Sequence, residues 1–121
     1  MSESSSQRDL DLTFLYEIAD GSNDFIVESI DMLLEQVPEL LGTIGDGINS
    51  RDWVSAAAAA HKLKPSLGFF GMLNSQGLIQ EIELLCKAGG QDPEQISSKL
   101  SEVSQIIDDT LNELTKLKAE L

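Results

Sequence analysis

Apolar residues return at steps of three and four along almost the whole chain, and that spacing admits little besides packed helices. Trp53, Ala56, Ala60, Leu63, Leu67 and Phe70 make one such stripe. A longer one ahead of it runs Ile26, Ile30, Leu33, Leu34, Val37, Leu40, Leu41, Ile44. Behind it come Leu78, Ile79, Ile82, Leu85 and Cys86, then a last stripe from Ile96 through Leu100, Val103, Ile107, Leu111 and Leu114 to Leu117. Leu10, Phe14, Leu15 and Ile18 predict a short helix at the start, ended by Asp20-Gly21. Ser22 or Asn23 then caps the second helix, which Gly45-Asp46-Gly47 is expected to end, and Asn49 or Ser50 caps the third. Gly89-Gly90 ends the fourth, and Asp92-Pro93-Glu94-Gln95 supplies a cap, a first-turn proline and an acid for the fifth. Pro38 and Pro65 fall inside predicted helices and predict bends there. No segment alternates with the period of a strand. The expected fold is all-α: an antiparallel up-down four-helix bundle with a short additional N-terminal helix.

At 121 residues the chain makes one domain with a modest core. That domain is expected over residues 9–121, behind a polar, Ser-rich leader, MSESSSQR, read as disordered over residues 1–8. Lys plus Arg is 8 and Asp plus Glu is 21, a net charge of −13. Such a balance opposes nucleic-acid binding and attachment to anionic membranes, both of which need cationic surface. The single cysteine, Cys86, permits no internal disulfide and reads as a buried small hydrophobe in a reducing compartment. With no apolar run of spanning length and no secretory start, a monomeric cytoplasmic protein is expected.

The third stripe carries the chain's only histidine, His61, behind five alanines that give high helix propensity. At roughly 100° per residue, His61 lies about 130° from the centre of the buried stripe, so its ring points to solvent or the flank. Ala57, Lys64, Pro65 and Gly68 share that flank. A neutral imidazole, with an ordinary pKa of ~6.5, keeps a free lone pair near neutral pH and is a good nucleophile. Attack on phosphorus needs an open in-line approach, which small neighbours such as Gly68 are read as keeping clear. Lys64, one turn on, is placed to meet a phosphoryl oxygen. Lys62 points off another side. The bland alternative is a solvated helix histidine; one imidazole makes no metal site without further ligands. Neither a Ser-His-Asp arrangement nor a phosphate-cradling glycine loop accompanies it.

The string His61-x-Leu63-Lys64-Pro65-Ser66-x-Gly68-x-x-Gly71 resembles the signature of histidine-containing phosphotransfer (HPt) domains, which commonly read H-x-L-K-G-S with small residues further on. It departs from that signature at Pro65, where many members carry glycine. The resemblance covers about residues 9–118 and implies the same bundle fold. It also implies a phosphocarrier, phosphorylated on His61, with no autonomous kinase or hydrolase activity. The phosphoryl group would come from a receiver-domain phosphoaspartate and pass to another receiver. Implied partners are response-regulator receiver domains and a hybrid sensor histidine kinase. No cofactor is expected on this domain, Mg²⁺ being held by the receiver. Glu83 is placed on the fourth helix opposite the stripe of Ile79 and Ile82; carried over from the family, it is the acceptor that orients the ring through Nδ1–H, with Gln80 as fallback, and its plain alternative is a solvated helix glutamate. Ser66 and Gly71 match structural positions of the motif, Ser66 aimed away from His61.

Val54, Ala57, Ala58, Lys62, Gly68 and Phe69 are read as a docking apron around the histidine. For Phe69, packing against the first helix is an equal alternative. The competing class for the whole chain is a helical adaptor without phosphoryl chemistry, or a degenerate HPt-like docking module.

Overall fold

A computed structural model describes residues 9–121; the expected leader, residues 1–8, lies outside them. Five helices follow one another: α1 Thr13–Ala19, α2 Asn23–Ser50, α3 Trp53–Phe69, α4 Leu73–Lys87 and α5 Pro93–Ala119. α3 packs against α2 and α4, and α5 closes the ring by packing against the same two helices. This is the all-α four-helix bundle the apolar spacing predicts, with α1 laid against α2. Its fully buried centre draws on every helix, from Leu15 through Ile30, Ile44, Leu63, Leu67 and Ile79 to Ile107 and Leu114. No helix among the described residues is long and apolar enough to cross a membrane.

The helix ends follow local chemistry, though not always at the expected residue. Asp20 ends α1 in the left-handed region, and Ser22 caps α2 by accepting from the Phe25 N–H at 3.1 Å. Gly45-Asp46-Gly47 does not end α2. The helix runs on to Ser50 and stops where Arg51 turns left-handed (φ 62°). Gly47 is buried because α2 and α3 meet there: a Cβ would lie 3.0 Å from both Ala56 Cβ and Asp52 O. Asp52, rather than Asn49 or Ser50, caps α3, accepting from Ser55 N–H at 3.2 Å and from Ser55 Oγ–H at 2.8 Å. α2 and α3 both continue through their prolines, Pro38 and Pro65, without interruption. In α1 the expected stripe is rotated: Leu15 and Ala19 face the core, while Phe14 and Ile18 are exposed.

The segment ahead of α1 locks the α3–α4 turn. Asp9 is buried, and its carboxylate accepts from the first free N–H groups of α4, at Asn74 (2.8 Å) and Ser75 (2.7 Å). Those donors have no partner inside their own helix, and the helix dipole adds to the attraction. Asp11 N–H then donates to Phe70 O at 3.2 Å. Gly71 adopts φ +67°, and any Cβ there would overlap the Asp11 backbone, so this motif glycine serves the chain crossing. Asp9→Ala removes a long-range cap and is expected to cost about 1–2 kcal/mol. Urea unfolding measures it; an unchanged midpoint would show that the contact holds nothing.

Candidate functional site

His61 sits in the middle of α3 with its side chain 71 % exposed. The same helix buries Ala56, Ala57, Ala59, Ala60, Leu63 and Leu67, so the ring projects from a helix otherwise held in the core. One ring nitrogen is anchored: Nδ1 lies 3.0 Å from Glu83 Oε2 on α4. An ionised carboxylate only accepts, so Nδ1 carries the proton and Nε2 is left with its lone pair.

Glu83 is not a solvated glutamate opposite the stripe; it is buried, 2 % exposed, among Ile79, Ile82 and Cys86. Its two oxygens face one hydrogen-bonding ring and two ammonium groups. Lys64 Nζ stands 2.7 Å from Oε1, while Lys87 Nζ, at 2.9 Å, joins the His61 ring on Oε2. Burial alone would push the Glu83 carboxyl up, but the Lys64 and Lys87 ammonium groups and the His61 N–H outweigh it and lower its pKa to about 2. Lys64 is 20 % exposed and also donates to Gln80 Oε1. Gln80 therefore holds the lysine and not, as the fallback reading had it, the histidine ring.

The remaining expected residues divide. Val54 is 81 % exposed, and with Ala58 and Lys62 it lies open on the side of α3 that carries His61. Ala57, one turn before His61, is buried and so forms no part of an exposed apron. Gly68 does not keep an approach clear. A Cβ there would come 2.6 Å from Gln76 Nε2, and that amide donates to Lys64 O at 2.9 Å across the α3–α4 seam. Phe69 is half-buried, edge-on to Phe14 of α1 at 5.4 Å and to Phe70 at 5.6 Å. Ser66 Oγ–H donates to Gln36 Oε1 of α2 at 2.8 Å, away from the histidine. Pro65 is exposed one turn after His61.

Two residues at this face were not singled out from the sequence. Lys87 is four residues after Glu83 on α4, a spacing that brings oppositely charged side chains together, and that spacing was the available signal. Leu84 is exposed beside Glu83; a leucine within an apolar helix gives no sign of facing outward. Among the described residues, no group of three or more His, Cys, Asp or Glu could hold a metal ion.

The depressed Glu83 carboxyl makes stability depend on pH. Its ordinary value is 4.5 and its folded value about 2, so the unfolded chain binds the proton first as pH falls. The stabilisation is complete above pH 4.5 and is lost as pH drops towards 2. Glu83→Gln mimics the protonated form. Its unfolding free energy should fall below the wild-type value at pH 6 and converge with it near pH 2. Urea titrations across that range measure the gap, and a constant gap would contradict the ionised, paired carboxylate.

The family model described as Hpt domain matches residues 28–119, from the second turn of α2 to the end of α5. No curated protein matches the sequence significantly. A solved structure, the HPT domain of the Hpt sensor hybrid histidine kinase from Shewanella, superposes with a TM-score of 0.76 at 21 % identity, covering 95 % of this chain and 97 % of that one. That likeness, at low identity, shows a shared fold that includes the N-terminal part outside the family match. With more than half its length inside the family model, and a matching bundle, the chain belongs to the Hpt domain family of histidine phosphotransfer modules.

Proposed function

We propose that His61 is the phosphoryl-carrying residue of a cytoplasmic two-component phosphorelay. The observation that carries this reading is the division of labour at one ring. Nδ1–H is held by a buried carboxylate while the rest of the side chain stands 71 % exposed. Nε2 attacks the phosphorus of a receiver-domain phosphoaspartate in line with the acyl oxygen. A P–N bond forms, the P–O bond breaks, and its electron pair returns to the aspartate carboxylate. The positive charge that develops on the ring is met by Glu83 through Nδ1–H. Reversal of the same step passes the phosphoryl group to a second receiver. The receiver supplies the aspartate and its Mg²⁺; this chain supplies the nucleophile, its orienting carboxylate and a docking face of Val54, Ala58, Lys62 and Leu84. Partners of this chemistry are response-regulator receivers and the receiver of a hybrid sensor kinase.

Mixing the full chain with a phosphorylated receiver should transfer acid-labile, base-stable phosphate to it. His61→Gln should reduce that label to background, and Glu83→Gln should slow transfer about 10–100-fold, as for other partners that orient a reacting histidine. Label persisting on the His61 variant would refute the site. No label on the wild-type chain from any of a set of receivers would favour the docking-module alternative.

A further inference from the structure

A buried carboxylate against an imidazole creates a conflict. It fixes the useful tautomer, but its negative charge also favours a second proton on the ring, which would occupy the Nε2 lone pair. The charges around Glu83 bear on that conflict. Lys64 sits on Oε1, the oxygen away from the ring, whereas Lys87 lies 2.9 Å from Oε2, the atom that accepts from His61 Nδ1 at 3.0 Å. From α3, the charged group facing Glu83 is Lys64; from α4, it is Lys87, with neutral Gln80 beyond. Among the described residues, no side chain of α2 or α5 forms an ion pair with Glu83 or His61.

We infer that Lys87 is a positioning residue acting through Glu83: by sharing Oε2 with the ring N–H, it weakens the carboxylate's pull on the imidazole, so that Nε2 stays unprotonated and nucleophilic. The inference deepens the phosphorelay reading and rests on it for its functional meaning. The geometry separates this role from that of an ordinary surface pair. Lys87 is 58 % exposed, yet its partner is 2 % exposed, so its charge acts on a group with little water to screen it. The Glu-to-Lys step of four along one helix also holds the ammonium near the carboxylate at small entropic cost.

The test uses the full chain with Lys87→Met and Lys87→Arg. Ring ¹⁵N signals of His61, followed against pH without any partner, should titrate about half a unit to one unit higher in Lys87→Met. Lys87→Arg should return the midpoint to the wild-type value. In phosphoryl uptake from a phosphorylated receiver, the acid limb of the pH profile should move by the same amount, with the alkaline plateau unchanged. An unchanged ring midpoint in Lys87→Met overturns the inference. So does a loss of uptake that is equal at every pH, which would place Lys87 on the phosphoryl group itself. Because the ring titration needs no receiver, it decides the Lys87 role even if wild-type uptake, and with it the relay reading, fails.

Discussion

The site depends on one buried charge. A carboxylate taken out of water is strongly destabilising unless its lone pairs are met, and a half-satisfied one is worse than an apolar residue. Glu83 is compensated from two helices: a hydrogen bond from the His61 ring and an ion pair with Lys64 come from α3, and an ion pair with Lys87 comes from α4 itself. The result ties the His61 ring to the bundle through electrostatics rather than through packing of the ring. It also sets the ring's orientation with a group that lies on the same buried face of α4 as Ile79 and Cys86.

The alanines of α3 make that geometry possible. Ala56, Ala57, Ala59 and Ala60 are all buried, a wider buried arc than one apolar stripe provides. Small side chains let α2 and α4 come close on both flanks, as the contact of Gly47 with Ala56 and the Gln76 amide against Gly68 show. Only a narrow strip of α3 remains in solvent, and His61 stands on it beside Ala58 and Lys62. A bulkier helix would hold its neighbours further off and lengthen the reach from Nδ1 to Glu83.

Much of this was legible in the chain. Helix number and the outward direction of His61 follow from spacing alone, because three-and-four periodicity fixes faces without knowledge of partners. Glu83 is the exception: expected opposite the stripe of Ile79 and Ile82, it stands four after Ile79 and three before Cys86, on the buried face. The cations that neutralise it lie nearby on α3 and α4. The glycines failed for a different reason. Gly47 and Gly68 read as a stop and an open approach, but each is small because another helix touches it, and long-range contact leaves no local trace. Phe14 and Ile18 misled similarly, since seven residues of α1 are too few for periodicity to fix a face.

Charge placement closes the argument at longer range. A chain of net charge −13 repels phosphoryl groups and acidic pockets over most of its surface. Around His61 the sign changes locally, with Lys62, Lys64 and Lys87 set against the single carboxylate of Glu83. At physiological salt, charges act over about 8 Å, so an approaching group samples this cluster only once it is close to the ring. In the proposed relay the remaining acidic surface would work against encounters elsewhere, and a like-charged partner would be oriented as much by what repels it as by what attracts it. The exposed apolar side chains Val54 and Leu84 stand on the two helices, α3 and α4, that carry this cluster. In the proposed relay they would supply contact area that salt does not weaken.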